Sequence, residues 1–432
     1  MLKVLVISNV SWDTRNSYGN TLSNWFEGWE DAEFYSIYCR SSMPLNTVSC
    51  DYYTVAPLSV FRYALCPSKI GQRINSRTKI LSDYEEIESK LINDAQQRRK
   101  EWMYLLADVA YSSRIWINKS YRSFINEVNP DVVFAFGIAD PFIYENIRYI
   151  KRNTKAKVVV FIADDVYGAY LNGSNFRSKL QACRFRNMIR MSDKLYGASE
   201  EMCITYKERF GKEITPLYKG CSIRSIKYKV NDPIKIVYAG NLFWGRDEIL
   251  SQVADALLKI NKDVPLATLE IYTGAFITDE IKSKLDKGKS SKLCGRRSYD
   301  EIVEILSNAD IVLHVESFNE EQKQIVKYSF STKIIDCLQS GATMLTVGPA
   351  GISSVEYSRK IPGVIVIDDI KNLYEKLEEI VLNKSTLPAR AQQIASFTKQ
   401  YHSVNSIRHN LQRDFLDLIH SIDEEGVNNR QE

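Results

Sequence analysis

The sequence lacks the features that mark several large classes of protein. Its eight cysteines are scattered along 432 residues and none forms a Cys-x-x-Cys pair, which favours reduced thiols in a cytosolic protein over a disulfide framework. It has no run of 18 apolar residues, so a membrane-spanning helix is not expected. The first ten residues read as a β-strand rather than a signal peptide, and we expect a cytoplasmic protein.

Signals for bound cofactors are also absent. No Gly-x-Gly-x-x-Gly follows the apolar runs at 2–8 or 234–240, and there is no Walker phosphate loop, which disfavours dehydrogenases and NTPases. The four histidines are not spaced with cysteines or carboxylates as metal ligands are, so we expect no metal and no cofactor. The small net charge of +4 argues against a dedicated nucleic-acid-binding protein, although it leaves a weak peripheral attraction to the inner face of a membrane open.

Short β-rich runs alternate with helical patterns, as in parallel sheets built from βαβ units. They form two series, separated by a polar stretch with a proline at 227–233. The sequence therefore predicts an α/β protein with two doubly wound Rossmann-like domains facing each other across a cleft. The predicted parts are an N-terminal domain (1–228), a C-terminal domain (229–400) and a terminal helix (401–422), whose return to the N-terminal domain stays open.

A helical insertion at about 60–127 interrupts the first series and is rich in tryptophan and tyrosine. Helices that pack into the core are the favoured interpretation. The alternative is a segment that contacts the acceptor or a membrane.

Three strand-to-helix turns in the second half carry the strongest site signals. In the first, Gly240 and Asn241 follow a strand and Arg246 opens a helix; an arginine fork is suited to phosphate. In the second, Ser298 and Glu301 form a capping box, which leaves three residues for contact with a base or phosphate: Gly295, Arg296 and Tyr299.

The third turn combines a helix start with charged side chains. Ser331 and Thr332 are N-cap types, and backbone N–H groups at a helix start attract anions. Lys333 adds positive charge there. Asp336 lies one turn further on the same side, where it can accept hydrogen bonds from vicinal hydroxyls, and Gly341 ends the helix.

Together the three turns resemble the donor domain of GT-B nucleotide-sugar glycosyltransferases, particularly the retaining family 4 (group 1) enzymes of bacterial polysaccharide synthesis. In that family a strand runs into Gly-Arg/Asn-Leu with Lys or Arg about six residues after the glycine, as at Gly240 and Arg246. A Ser/Thr-Lys-x-x-Glu/Asp segment ending in Leu-x-x-Gly corresponds to 331–341. The likeness covers about 230–400. It implies the GT-B architecture, with 1–228 as the acceptor-side domain and 229–400 as the donor-binding domain.

The resemblance implies a hexosyltransferase that moves a sugar from a nucleoside diphosphate-sugar, most commonly a UDP-sugar, to a glycan or lipid-linked acceptor in capsule or other cell-surface polysaccharide biosynthesis. It assigns the diphosphate to Arg246, to Lys333 and to the Ser331 and Thr332 amides, and the ribose to Asp336. One segment, Tyr18, Gly19 and Asn20, stands where many members have an acceptor-side Gly-Gly loop.

Catalytic residues are less clearly indicated. The family's Glu-x7-Glu pattern is absent, because Tyr328 stands eight residues before Asp336; Glu316 is a substitute candidate, and the stereochemical course stays open. An inverting base would be a carboxylate, since no histidine precedes residue 230. The candidates at strand ends are Asp13, Asp140, Asp164 and Asp165, of which the Asp164-Asp165 pair is preferred.

Two other functions fit the same architecture. One is a sugar-nucleotide epimerase. The other is a catalytically silent subunit that binds a partner protein or a glycan, which the missing Glu-x7-Glu pattern keeps in consideration. A metal-dependent GT-A transferase is disfavoured, because neither Asp-Asp pair has the Asp-x-Asp form.

Overall fold

Two mainly parallel β-sheets form the centres of two structural units. The computed structural model describes residues 1–48, 50–74, 101–223 and 225–428, with side chains outside 101–104 and 421–428. The first unit comprises 1–217 and 408–432, and the second comprises 218–407. Residues 75–100 of the predicted helical insertion lie outside the described residues.

The first unit has an eight-stranded sheet in the order β4-β3-β2-β1-β5-β6-β7-β8. Only the β3–β4 pair is antiparallel among the described strands. The central strands are continuous apolar runs, as expected when helices cover both faces of a parallel sheet. The strands are β1 (Leu2–Ser8), β2 (Ala32–Tyr38), β3 (Cys50–Thr54), β4 (Gln72–Ile74), β5 (Val132–Phe136), β6 (Lys157–Ile162), β7 (Lys194–Gly197) and β8 (Thr215–Pro216).

The second unit has a six-stranded parallel sheet in the order β11-β10-β9-β12-β13-β14. The chain starts at β9, builds outward to β11, and then crosses back to place β12 on the other side of β9. This is the doubly wound 3-2-1-4-5-6 order, whose reversal opens a crevice at the carboxyl ends of the two central strands. The strands are β9 (Ile234–Ala239), β10 (Ala267–Tyr272), β11 (Ser291–Gly295), β12 (Ile311–Val315), β13 (Thr343–Val347) and β14 (Ile365–Ile367).

Seventeen α-helices are described. Those of the first unit are α1 (Ser17–Phe26), α2 (Pro57–Arg62), α3 (Glu101–Ser112), α4 (Lys119–Val128), α5 (Pro141–Asn153), α6 (Val166–Asn172), α7 (Phe176–Met191) and α8 (Glu200–Phe210). Those that follow are α9 (Arg246–Ile260), α10 (Asp279–Leu285), α11 (Tyr299–Ser307), α12 (Glu320–Val326), α13 (Lys333–Gln339), α14 (Ser353–Lys360), α15 (Leu373–Leu382), α16 (Leu387–Tyr401) and α17 (Val404–Asn428). Within the described chain, no helix is both long and apolar enough to cross a membrane.

The described end of the helical insertion packs into the core of the first unit. Trp116 is fully buried, and its ring lies 5.2 Å from those of both Phe142 and Tyr121. Tyr111 is also buried against Phe142, and its hydroxyl donates to the carbonyl oxygen of Val55. Here the aromatic residues of the insertion serve as core side chains.

The segment expected to link the domains belongs to the second unit. The amide of Lys227 donates to the carbonyl oxygen of Gly341 at 2.9 Å. Asn231 binds the buried carboxylate of Asp310 through its amide and its side chain, at 3.0 and 2.9 Å. The unit boundary after Leu217 therefore precedes the expected one at 228, because polar residues that resemble a linker satisfy a buried carboxylate.

The terminal helix α17 contributes residues from Arg408 onward to the first unit. Arg408 donates to the carbonyl oxygen of Asn24 at 2.7 Å and pairs with Glu27 at 3.0 Å. The fully buried ring of Phe415 packs 5.6 Å from that of Trp29. Through these contacts, a segment that follows the second unit in the chain completes the core of the first unit.

Gly341 is expected to tolerate no side chain. Its φ is +74°, and a Cβ atom would stand 1.7 Å from the carbonyl oxygen of Ser225. Gly341→Ala should lower the free energy of unfolding of the second unit by more than about 3 kcal/mol, the sum of left-handed strain and displaced backbone. Calorimetric unfolding measures this change.

Gly351→Ala is the matched control. Gly351 also has a positive φ, of +83°, but a Cβ atom added there would have no neighbour within 4 Å among the described residues. It should cost only the conformational strain, about 1–2 kcal/mol. Equal costs for the two variants would show that the Ser225 contact is unimportant.

Candidate functional site

Three charged residues of the second unit, Arg246, Glu316 and Lys333, lie at the carboxyl ends of β9 and β12, where the strand order reverses. Arg246 begins α9 after β9, Glu316 directly follows β12, and Lys333 begins α13. In doubly wound sheets this edge is where ligands bind. We call Gly240, Asn241, Arg246, Glu316, Lys333 and Asp336 the switch-point cluster.

Protein acceptors hold the guanidinium of Arg246 on three sides. Nη2 donates to both carboxylate oxygens of Glu316 at 3.0 and 2.9 Å, and Nη1 donates to Oδ1 of Asn241 at 2.9 Å. Nε donates to the carbonyl oxygen of Val315 at 3.2 Å. An arginine has five N–H donors, so these bonds to described residues leave one N–H of Nη1 for a ligand. The fork is thus positioned by the protein itself.

Glu316 is the buried anion of the cluster, with 1% of its surface exposed. Burial by itself raises the pKa of a carboxyl group, but His314 and Arg246 together reverse this effect and hold the pKa of Glu316 below its usual range. Nε2 of His314 lies 3.3 Å from Oε1 of Glu316, without the alignment of a hydrogen bond. Glu316 therefore binds and orients the guanidinium of Arg246 from a position that solvent does not reach.

Lys333 lies across Gly240. A Cβ atom at Gly240 would stand 2.6 Å from Cε of Lys333 and 2.8 Å from the hydroxyl oxygen of Tyr238, so any larger residue would have to displace the lysine side chain. Burial and the neighbouring Arg246 lower the pKa of Lys333, while Glu316 and Asp336 oppose this effect. The glycine of the first turn and the lysine of the third are thereby brought together.

Asp336 forms the other side of the cluster. Burial raises its pKa, against the opposing charges of Lys219 and Lys333. The hydroxyl of Tyr299 donates to Oδ1 of Asp336 at 3.3 Å and accepts from Nε2 of Gln339 at 3.3 Å. A half-exposed phenol and a carboxylate at this distance offer paired hydrogen-bonding atoms to a diol.

The start of α13 differs from the expectation. The amide of Ser331 donates to Oγ of buried Ser354 at 3.0 Å, so it is not the anion-binding donor that the sequence suggested. The carbonyl oxygens of Ser331 and Thr332 accept the Ile334 and Ile335 amides in a tight first turn. Thr332 makes no side-chain cap hydrogen bond. The positive charge at this turn comes from Lys333.

Gly295 and Arg296 lie at the edge of the sheet. Gly295 has a φ of +72°, and a Cβ atom added there would meet open space among the described residues. Arg296 is exposed and extends beside Gly274, where a Cβ atom would stand 3.5 Å from its Cδ. The predicted capping box of Ser298 and Glu301 is confirmed. The carbonyl oxygen of Gly295 accepts from the Thr273 amide, so this residue is held within the sheet rather than against the switch-point cluster.

The two predicted catalytic carboxylates of the first unit, Asp164 and Asp165, lie in different environments. Asp165 caps α6 through the amide of Gly168, accepts from the hydroxyl of Tyr206 at 2.7 Å, and pairs with Arg209 at 2.9 Å. These contacts give Asp165 a structural role. Asp164 is exposed and adds to the electrostatic effect that, after burial, raises the pKa of Tyr18.

The other strand-end carboxylates of the first unit are also engaged. Asp13 forms an ion pair with Arg15 at 2.7 Å, which outweighs burial and lowers its pKa. Asp140 caps α5 through the amide of Phe142 at 2.8 Å, and burial raises its pKa. Both have local structural partners.

The segment expected to be an acceptor-side loop is helical. Tyr18, Gly19 and Asn20 lie in the first turn of α1, which Asn16 caps by accepting from the Gly19 amide at 2.8 Å. A Cβ atom at Gly19 would stand 2.2 Å from the carbonyl oxygen of Asp13, so close helix packing accounts for this glycine. The glycine that suggested a loop in the sequence is therefore explained by the close packing of α1 against the backbone at Asp13.

Sequence reasoning missed His314, Lys219 and Gln339. His314 lies inside an apolar strand, where a lone histidine gives no pattern. Lys219 comes from the segment before β9 and has its pKa lowered by burial. Gln339 stands one turn after Asp336 on α13. Of the three residues, only Gln339 could have been found from the sequence, through its helical spacing from Asp336.

Among the residues that the structure describes, no group of three or more histidine, cysteine, aspartate or glutamate side chains is placed to bind a metal. No protein-family model and no curated protein sequence matches the chain significantly.

Solved structures of glycosyltransferases, in contrast, match most of its length. HepE of Anabaena in complex with UDP and glucose is 10% identical with a TM-score of 0.60, over 96% of this chain and 100% of that one. Sucrose-phosphate synthase of Thermosynechococcus elongatus is 8% identical with a TM-score of 0.64, over 98% and 100%. The pneumococcal O-GlcNAc transferase GtfA in complex with UDP and GlcNAc is 12% identical with a TM-score of 0.50, over 69% and 60%.

A double-mutant cycle should show strong coupling between Arg246 and Glu316. Each single alanine variant leaves a buried charge without its partner and should cost about 3–5 kcal/mol of unfolding free energy. The double variant should cost less than the sum by at least about 1 kcal/mol. Urea unfolding of the four proteins measures the coupling, and additive costs would contradict it.

Asp336→Asn should stabilise the ligand-free protein. The folded-state pKa of Asp336 is raised from 3.8, so its ionisation costs stability as pH rises through the unfolded-state value. The variant should therefore have a higher melting temperature at pH 7 and none of this gain below about pH 3.8. Thermal unfolding at both pH values measures it, and a less stable variant at pH 7 would contradict the expected sign.

With the sheet order and the switch-point cluster, these full-length matches show that the chain has the GT-B fold, two doubly wound α/β domains, shared with glycosyltransferases of known structure.

Proposed function

We propose that the protein is a metal-independent glycosyltransferase that moves a hexose from a nucleoside diphosphate-sugar, with UDP-sugars as the first choice, to a glycan or lipid-linked acceptor. We also propose that the reaction takes place in the cytoplasm, in the synthesis of a cell-surface polysaccharide. The observation that carries the proposal is Lys333 lying across Gly240 beside Asp336, at the reversal of strand order.

The proposed donor site is built from complementary charge. Lys333 supplies the cation that faces the diphosphate, and the remaining Nη1 hydrogen of Arg246 supplies one oriented donor. Gly240 and Asn241 let the chain approach the phosphates, while Asp336 and Tyr299 accept or donate to the ribose hydroxyls. Complexes of HepE and GtfA contain UDP, which supports this choice of nucleotide. Arg296, at the sheet edge, is the proposed contact for the base.

In the proposed reaction, an acceptor hydroxyl oxygen forms a bond to the anomeric carbon, and the bond from that carbon to the phosphate oxygen breaks. The departing nucleoside diphosphate takes the electron pair, and the positive charges of the donor site stabilise it. The hydroxyl proton passes to a carboxylate in an inverting course, or to the departing phosphate in a retaining one. Asp164 is the proposed carboxylate, because it is the exposed member of the pair and Asp165 caps a helix.

The test is release of nucleoside diphosphate from a panel of nucleotide sugars, followed by transfer to glycan acceptors. Diphosphate release together with a glycosylated product supports the proposal. Conversion of one nucleotide sugar into its epimer would replace it with the epimerase function. Absence of nucleotide binding across the whole panel would leave a silent subunit and overturn the proposal.

Lys333→Met should abolish turnover of the nucleotide sugar, with at least about a hundredfold loss of kcat/KM, because a buried cation facing the leaving group is removed. Its methylene stem still covers Gly240, so the fold should persist. Lys284→Met, on the exposed face of α10, is the matched control and should retain full activity. Unchanged kcat/KM in Lys333→Met would remove this residue from the donor site.

A further inference from the structure

Two exposed aromatic side chains, Phe243 and Trp244, lie in the turn that joins β9 to α9. Phe243 is 64% exposed and Trp244 is 45% exposed. Both stand between Asn241 and Arg246, two members of the switch-point cluster. Aromatic rings that stay in solvent contribute little burial of apolar surface to the fold, and the proposed donor contacts include neither of them. Both rings are therefore accessible to a ligand of this site.

The backbone at Trp244 has a conformation that large side chains disfavour. Its φ is +63°, and that of Gly245 is +70°. The Arg246 amide donates to the carbonyl oxygen of Phe243 at 3.5 Å, which closes a four-residue turn around two left-handed residues. Turns with this pattern, as in type I′, favour asparagine, aspartate or glycine at both central positions. A tryptophan at such a position is strained, and strain of this kind is concentrated at functional sites.

The protein fixes the turn on both sides of Trp244. Before it, the hydroxyl of Tyr238 donates to the carbonyl oxygen of Asn241 at 2.5 Å. After it, a Cβ atom at Gly245 would stand 2.5 Å from Oγ of buried Ser317, so the backbone packs directly against the segment that follows β12. The positive φ of Trp244 is thus imposed by contacts of its neighbours.

The two ends of the turn have different surroundings. The Gly240 end lies under Lys333, which is close to Asp336 and to the proposed ribose contacts. The Gly245 end lies against the segment after β12. In a nucleotide sugar, the ribose and the hexose are attached to opposite ends of the diphosphate. A diphosphate bound along the turn with its ribose at Asp336 therefore directs its hexose toward the end that carries Trp244.

We propose that the indole ring of Trp244 stacks on the hexose of the nucleotide sugar and so contributes to the recognition of the donor. The inference rests on the proposed function and extends the donor site from the nucleotide to the sugar. The C–H groups on one face of a pyranose ring pack well on an indole, because the face of an aromatic ring carries partial negative charge. A rigid turn that keeps this ring in solvent before binding lowers the cost of ordering it in the complex.

Tryptophan fluorescence measures this contact directly. Five of the six tryptophans belong to the first unit, and those of them whose side chains the structure describes are buried, whereas Trp244 is exposed. The full chain is titrated with UDP-glucose and with UDP, with excitation at the red edge of tryptophan absorption, where uridine absorbs little. UDP-glucose should shift the emission to shorter wavelength, because the hexose replaces water at the indole, and UDP should not.

Two further ligand sets complete the experiment. If another nucleotide sugar of the panel binds more tightly, that sugar and its own nucleoside diphosphate replace UDP-glucose and UDP. A third titration adds glycan acceptors to the protein saturated with UDP, and it should leave the emission unchanged. These sets distinguish a hexose of the donor from a sugar of the acceptor.

Trp244→Gly removes the ring and suits a positive φ, so the turn should persist. The dissociation constant for UDP-glucose should rise by about fivefold to tenfold, the usual effect of an aromatic contact, while that for UDP should stay within about twofold. Trp244→Phe keeps an aromatic face and should recover most of the affinity for UDP-glucose, without the emission shift. Thermal unfolding of both variants verifies that they are folded.

Tyr228→Ala is the matched control. Tyr228 is another exposed aromatic residue of the second unit, in the segment ahead of β9 and away from the carboxyl end of that strand. Its replacement should change neither dissociation constant and should preserve the emission shift.

The outcomes separate this inference from the proposed function. Equal emission shifts with UDP and UDP-glucose, or equal changes of the two dissociation constants in Trp244→Gly, would overturn the stacking role and leave the glycosyltransferase proposal intact. A shift that occurs only when a glycan acceptor is added would assign the ring to the acceptor and overturn the donor assignment. If no nucleotide sugar of the panel binds, the proposed function itself fails.

Discussion

The buried ion pair between Arg246 and Glu316 sets the geometry of the second unit at the edge where its strand order reverses. It joins the start of α9 to the end of β12, two segments that share no backbone hydrogen bonds at that point of the described chain. Buried ion pairs seldom stabilise a protein more than apolar side chains of similar size would. Their value is directional, since a bidentate contact fixes the plane of a guanidinium. The buried pair therefore gives the guanidinium of Arg246 a defined orientation at some cost in folding stability, as is common at binding sites.

Local chain signals account for what could be predicted from the sequence. Alternating apolar and helical patterns indicated two parallel sheets, and glycines at 240 and 341 marked a close approach and a helix end that the structure shows. The capping box at Ser298 and Glu301 needed only residues three apart. Such features depend only on residues that are close together in the chain, so they can be predicted from a single sequence.

The remaining features depend on residues distant in sequence. The partner of Arg246 lies 70 residues away, and the Ser331 amide is used by Ser354, on a different helix. The polar stretch before β9 looked like a linker because its contact with Asp310 spans 79 residues. Helix α12, between Glu316 and Tyr328, was not expected either, since its seven residues are mostly polar. Tertiary contacts decide these cases, and no local propensity encodes them.

The path of α17 has a consequence for how the protein is made. Residues before 218 form most of the first unit, but Phe415 completes its aromatic core and Arg408 satisfies carbonyl groups at the end of α1. During synthesis from the N-terminus, the second unit is therefore finished before the first can close. The early polypeptide leaves the ribosome with Trp29 and Phe26 lacking a permanent cover, and chaperone demand should be concentrated in that interval. A segment translated after the second unit thus completes the core of the first unit.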